Sequence, residues 1–228
     1  MSRPVARPGS GTPPGTRRAA GARLPNRRAR LGRLTVSAAL LLLTGWPAAG
    51  AAFDAGEAFA KGTRVLSLQA TGGAQINLES ADAPSNITFV GVAPRLSYLP
   101  FAPFGSRWYR VAIDPGLEAW AQYFLHPQPS AAAGLKASLR LHGLGFGRVV
   151  PYVEINAGAG ATGLYVQESR STFTFILEGG PGLAVFLTKD VALTAGYRFQ
   201  HFSNGNTSHP NSGYESQSGV AGVSIFFH

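Results

Sequence analysis

The sequence predicts an all-β fold, an eight-stranded antiparallel up-and-down β-barrel that crosses a membrane. Apolar and polar residues alternate over runs of ten or more residues, which indicates strands with one apolar face. These runs are about 10 to 14 residues long, whereas strands of soluble proteins average about 5 to 6. Shorter and longer connections alternate between them, as in outer-membrane barrels, whose periplasmic turns are short.

Eight segments carry this pattern. In chain order we predict strands at 64–71, 86–99, 116–126, 133–144, 149–160, 172–187, 190–203 and 214–227. The fourth is typical, because Leu135 and Leu139 alternate with Lys136 and Arg140. Residues 100–115 do not fit, since the second connection should be a short periplasmic turn. We expect a short extra strand or helix there.

The polar face of these strands predicts a filled lumen. An eight-stranded barrel is narrow enough for its own side chains to fill, which leaves no pore. Inward lysine and arginine side chains are expected to pair with inward glutamates. The candidates are Lys136, Arg140 and Arg198 with Glu118, Glu154 and Glu178. We interpret these charges as a structural network.

Residues 1–51 are predicted to be a basic leader with a secretory signal, and residues 52–228 the barrel domain. An arginine-rich segment at 27–33 precedes an apolar segment at 34–44, and Ala49-Gly50-Ala51 resembles a signal-peptidase site. The apolar segment is too short to span a bilayer as a helix. The pair Arg27-Arg28 is only a weak indication of twin-arginine export, and residues 1–26 are assigned no role.

The charge distribution argues against nucleic-acid binding. The formal net charge is +9, but nine of the 20 Lys and Arg residues lie in the leader, which has no Asp or Glu. The other 11 balance the 11 acidic residues of the barrel domain. The chain has no cysteine, which excludes disulfides and a lipoprotein anchor. After residue 52 no stretch of 18 apolar residues occurs, so a membrane form requires a closed barrel.

Three reactive side chains occur where the seventh strand ends and the eighth begins. The apolar odd positions of the seventh strand continue into His201 and Ser203, whose Cα atoms would be about 7 Å apart on one face. Parity places Glu215 on the apolar face of the eighth strand. The two strands pair as a hairpin, so we expect all three side chains near its loop, on the lipid-facing wall.

These residue types suit ester hydrolysis. An imidazole can take the proton of a serine hydroxyl, and a carboxylate can orient and stabilise the imidazole. The oxyanion that develops needs hydrogen-bond donors, for which Asn204, Asn211 and the backbone amides of the Gly205 loop are candidates. A nucleophile on the outer wall meets lipid first, so a lipid ester is the expected substrate. Phosphate groups of such a lipid are expected to meet basic side chains of the loops, with Arg107, Arg110 and Arg170 as candidates.

The same residues resemble the lipid A 3-O-deacylase family, the PagL-type outer-membrane acyl hydrolases. The family pattern His-x-Ser-Asn, then Pro-Asn-x-Gly-x-Glu, matches His201-Phe202-Ser203-Asn204 and Pro210-Asn211-Ser212-Gly213-Tyr214-Glu215. The resemblance covers about residues 149–227, without 100–115.

The resemblance implies a catalytic triad of His201, Ser203 and Glu215, with Asn204 at the oxyanion site. It also implies an outer-membrane location in a Gram-negative bacterium, and removal of the ester-linked 3-hydroxyacyl chain at position 3 of lipid A. No metal and no other cofactor is expected. The expected partners are lipid A or lipopolysaccharide and the outer-membrane lipids.

Two other functions stay open. A non-catalytic structural or adhesive barrel would have the same fold, because a fold does not determine a function. An esterase or acyltransferase for another membrane lipid would use the same three residues. His126, His142 and His228 show no metal-ligand spacing. The oligomeric state is left open, with a homodimer among the alternatives.

Overall fold

Eight antiparallel strands form a closed barrel in which sequence neighbours pair and β1 closes the sheet against β8. The computed structural model describes residues 53–76, 85–106 and 109–228. The predicted leader, residues 1–51, lies outside them, so the division into leader and barrel domain stays a prediction. The strands are β1 (Arg64–Ile76), β2 (Thr88–Tyr98), β3 (Val111–His126), β4 (Ser130–Gly143), β5 (Val149–Thr162), β6 (Phe173–Phe186), β7 (Val191–Ser203) and β8 (Tyr214–Phe227).

The predicted strand number, order and topology are confirmed, and the strand limits agree within about three residues except at two places. β1 continues to Ile76, because its glycine-rich second half pairs with β8. The sequence of this half has no clear alternation of apolar and polar residues, so the prediction ended too early. β3 begins at Val111 and not at 116. Asp114 and Pro115 are residues typical of turns, but both are paired with β4. The segment 100–115, for which we expected a short extra strand or helix, therefore contains the start of β3. Phe104 forms an isolated β-bridge with Val111.

The predicted lumen network is confirmed. The Arg198 guanidinium lies between three buried glutamates, with N–O distances of 2.7 Å to Glu154 and 3.0 Å to both Glu118 and Glu178. Lys136 Nζ lies 2.8 Å from Glu118 and 2.6 Å from Glu178. Further buried pairs are Arg140–Glu154, Arg95–Asp114 and His142–Asp114. Because each charge is paired, the ions can be buried in the centre of the barrel.

Apolar clusters fill the lumen above and below these ions. At the end far from the β7–β8 loop, a one-turn helix, α1 (Ala55–Ala58), has Asp54 as its N-cap. The following Phe59 packs on Phe186 and Phe226. The members of the cluster at the loop end are Ile87, Phe89, Trp120, Phe124, Ala132, Leu164, Val166, Ile176, Phe202 and Tyr214. No helix of the described residues is long and apolar enough to cross a bilayer.

The outer wall carries the opposite half of the alternation. Exposed apolar side chains follow each other at every second position, as a lipid-facing surface requires. Examples are Leu66, Leu68, Val92, Leu96, Leu117, Leu135, Val153, Ile155, Leu177, Leu183, Leu193 and Ile225. Parity along a strand therefore decides whether a side chain meets the ions of the lumen or the bilayer.

The lumen network yields a stability prediction. Arg198→Met would leave three buried carboxylates without their shared cation, and we expect it to lower the free energy of unfolding by about 3–5 kcal/mol. Urea unfolding of the barrel in lipid vesicles measures this. Lys189→Met, which removes an exposed positive charge, is the matched control and should stay within about 0.5 kcal/mol of the parent. Equal effects of the two substitutions would contradict the assignment of the network.

Candidate active site

His201 and Glu215 are joined by a hydrogen bond on the outer wall. The register of β7 and β8 places them directly opposite each other, and the His201 Nδ1–Glu215 Oε1 distance is 2.9 Å. The two side chains are 37% and 21% exposed, respectively. A carboxylate only accepts hydrogen bonds, so Nδ1 carries the proton. Nε2 of a neutral ring is then an acceptor, as a general base requires.

Ser203 is the last residue of β7 and lies on the same face as His201. Phe202, between them, points into the lumen and packs on Trp120 and Tyr214 with ring-centroid distances of 6.1 and 4.9 Å. Across the sheet, Ser203 pairs with Phe175 of β6. Within the described part of the chain its hydroxyl makes no hydrogen bond, either to the imidazole or to another group.

A shallow groove of about 610 Å³ runs along the outer wall beside these side chains. Its lining residues are Ala157, Gly158, Ala159, Phe175, Ile176, Leu177, His201 and Ser203. The small residues of β5 leave space next to the exposed rings and chains of Phe175 and Leu177. The hydroxyl and imidazole therefore stand at an apolar groove that opens to the bilayer.

The β7–β8 loop, residues 204–213, is held by its asparagines. The buried Asn204 donates its side-chain amide to the carbonyls of Ser208 and Pro210, at 2.9 and 3.3 Å. Its backbone N–H donates to Asn211 Oδ1 at 2.7 Å. Gly205 has a φ of +62° and its backbone N–H has no intramolecular acceptor among the residues with assigned positions. Asn204 and Asn211 thus shape the loop, and the Gly205 N–H is a donor that no described residue uses.

A sequence model described as "Lipid A 3-O-deacylase (PagL)" matches residues 92–224, more than half of the chain. The chain belongs to the lipid A 3-O-deacylase family. It is an outer-membrane β-barrel of a Gram-negative bacterium, as predicted. The match includes all six residues proposed for the site from the sequence.

Two solved structures have the same fold as this deacylase-family barrel. The crystal structure of the outer-membrane enzyme PagL is 19% identical, with a TM-score of 0.52, and the alignment covers 70% of this chain and 98% of that one. For Neisserial surface protein A the values are 17% and 0.50, with 73% and 100% covered. A comparison with curated protein sequences finds no match.

Gly213 is a site residue to which the sequence assigned no separate role. Its φ is +71°, a conformation that favours glycine. A Cβ atom there would lie 2.8 Å from the carbonyl oxygen of Phe202 and 3.1 Å from Cε1 of His201. The missing side chain thus lets the loop pass directly against the imidazole. The sequence contains the glycine, but not the contact that requires it.

The prediction that Arg110 meets substrate phosphates near the site was wrong. Arg110 lies between β2 and β3, at the end of the barrel opposite to the site, and its guanidinium pairs with Asp54 at 3.1 Å. The up-and-down topology dictates this, because successive connections alternate between the two ends. Arg107 lies outside the described residues. Arg170 is exposed in the β5–β6 loop, at the same end as His201.

Substitution of Gly213 tests the fit between loop and imidazole. Gly213→Ala should lower the kcat of lipid A deacylation about 10- to 100-fold if the candidate residues are catalytic, because the new methyl group would displace the His201 ring relative to Ser203 and Glu215. Released acyl chains are counted by mass spectrometry. Gly147→Ala is the matched control, since Gly147 also has a positive φ but nothing within 4 Å of the new Cβ. The interpretation fails if both variants lose the same activity.

Proposed function

We propose that this protein hydrolyses the ester-linked 3-hydroxyacyl chain at position 3 of lipid A, with Ser203 as nucleophile, His201 as general base and Glu215 as its orienting carboxylate. The observation that carries the proposal is the 2.9 Å contact between His201 and Glu215 on the lipid-facing wall, beside Ser203. Family membership supports the substrate class. Export by the leader, residues 1–51, is part of the same proposal.

In the first step Ser203 Oγ attacks the ester carbonyl carbon while its proton passes to His201 Nε2. Rotation of the serine side chain has to bring the hydroxyl to the imidazole, since catalytic hydrogen bonds often form only with substrate bound. Glu215 accepts the Nδ1–H bond throughout and stabilises the positive charge of the imidazolium. The tetrahedral intermediate then loses the sugar oxygen, which takes the proton from Nε2.

In the second step water attacks the acyl-serine ester, and the imidazole takes the proton of that water. The bond between Ser203 Oγ and the acyl carbon breaks, and the serine oxygen recovers the proton. The products are a free 3-hydroxy fatty acid and lipid A with a free hydroxyl. These steps use no metal or cofactor, because the three side chains supply the nucleophile, the general base and the carboxylate that stabilises the imidazolium.

The oxyanion is proposed to bind at the start of the β7–β8 loop. The backbone N–H of Gly205, which has no acceptor among the described residues, lies two residues after Ser203 and so suits a donor to the developing negative charge. Asn204 and Asn211 act as substrate-positioning groups by fixing this loop, since the Asn204 amide already donates to Ser208 and Pro210.

The groove supports a substrate with a long acyl chain. Its apolar lining continues from Ser203 down the wall, so a chain could lie on the barrel while its ester stays at the membrane surface. The outer leaflet supplies lipopolysaccharide at this depth. The proposed partners are therefore lipid A or lipopolysaccharide and the surrounding outer-membrane lipids.

Expression in a Gram-negative host of known lipid A structure tests the proposal. The parent chain should remove one hydroxyacyl mass from lipid A, and Ser203→Ala should reduce the rate at least about 1000-fold. Ser218→Ala is the matched control, because that hydroxyl is buried in the lumen and should not affect hydrolysis. Altered phospholipids with unchanged lipid A would identify a different lipid esterase. No change in any lipid would favour a non-catalytic barrel.

A further inference from the structure

A buried carboxylate lies in the β5–β6 loop, outside the proposed triad. Glu168 accepts three hydrogen bonds from the other side of the barrel mouth. Gln75 Nε2 and the backbone N–H of Ser85 donate to Oε1 at 2.8 and 3.0 Å, and the Ser85 hydroxyl donates to Oε2 at 2.5 Å. The side chain thus joins the β5–β6 loop to the end of β1 and to the segment that enters β2.

The backbone of the same residue binds the β7–β8 loop. The Glu168 carbonyl oxygen accepts from the backbone N–H groups of Ser212 and Gly213, at 3.0 and 3.2 Å. The Ser212 hydroxyl donates to it as well, at 3.3 Å. The neighbouring Ser169 forms a bridge with Asn211. Four interstrand connections lie at this end of the barrel. Glu168 therefore links its own β5–β6 loop to the β7–β8 loop and to both ends of the β1–β2 connection.

Gly213 is the link between Glu168 and the chemistry. It packs against the His201 ring and precedes Glu215 by only two residues. We propose that Glu168 is a positioning residue for the hydrolysis proposed above. Its carboxylate anchors the β5–β6 loop to β1, and the anchored carbonyl holds Gly213 so that the imidazole and Glu215 keep their relative position. This inference rests on the proposed function of the His201 site.

The charge state of Glu168 agrees with this role. Burial alone would raise the pKa of the carboxyl, but the hydrogen bonds from Ser85 and Gln75 outweigh it and hold the pKa below its ordinary value. At neutral pH the group is ionised, so both oxygens act only as acceptors, as three donors require. The barrel itself is closed by the strand ladders, in which this carboxylate takes no part.

Two substitutions separate positioning from bulk stability. Glu168→Leu removes all three acceptor contacts and should lower kcat about 10- to 100-fold with little change in KM, since a small displacement of catalytic groups has effects of this size. Glu168→Gln keeps Oε1 for Gln75 and the Ser85 N–H, and its new amide can donate to the Ser85 hydroxyl, which can also accept. This variant should therefore retain kcat within about threefold of the parent.

The matched control is Gln167→Leu, an exposed position in the same loop that should leave kcat unchanged. Amide hydrogen exchange supplies a readout independent of activity. In Glu168→Leu the N–H groups of Ser212 and Gly213 should exchange faster, while the amides of β7 and β8 keep the parent rates. If the leucine variant does not fold, Ser85→Ala, which removes one donor, is the substitute. It should show smaller changes in the same direction, with kcat and the exchange rates each changed about threefold from the parent.

Parent kcat in Glu168→Leu, or equal losses in the leucine and glutamine variants, would overturn the inference. Unchanged exchange at Ser212 and Gly213 would do so as well. Failure of the proposed function would look different, because the parent chain would then release no acyl chain. The exchange rates would still decide whether Glu168 holds Gly213.

Discussion

The closed eight-stranded ladder allows a strand side chain only two environments, and the rest of the structure depends on this constraint. Inward positions meet a lumen packed with paired ions around Arg198 and Lys136 and closed by aromatic clusters at both ends. Outward positions meet lipid. A register shift of one residue would place charges in the bilayer and leucines among the ions, so both sets of contacts favour the same register. A reactive group in this lumen would have no access to substrate, whereas one on the wall meets lipid directly.

The site uses outward positions at the loop end of the wall, near one of the two interfaces where polar groups are tolerated. His201, Ser203 and Glu215 continue an apolar face to the membrane surface, where charged side chains cost much less free energy than at mid-bilayer. Contacts in the lumen and contacts in the loops both hold these side chains in position. Phe202 anchors β7 in the lumen between the two reactive residues, and the loops above hold Gly213 against the imidazole. A rigid wall and a hydrogen-bonded loop cluster together position a site that has almost no enclosing pocket.

Much of this arrangement could be predicted from the sequence, because alternation is a local property. It predicted the eight strands, the lumen ion pairs and the shared face of the three reactive residues. It failed where residue type and pairing disagree. Asp114 and Pro115 are residues typical of turns, yet they belong to β3, where Asp114 keeps the inward phase and pairs with Arg95 in the lumen. Contacts between loops leave no local pattern at all. The anchoring role of Glu168 and the use of the Asn204 amide within its own loop depend on residues that are distant in sequence or on turn geometry.

Side-chain parity around the site is measured most directly by site-directed spin labelling. The chain has no cysteine, so single cysteines at 200–203 and 214–217 can be labelled in lipid vesicles without a background signal. Collision rates with oxygen, which partitions into the bilayer, should be high at 201, 203, 215 and 217 and low at 200, 202, 214 and 216. Rates that fail to alternate, or that alternate in the opposite phase, would contradict a hydrolytic site on the lipid-facing wall.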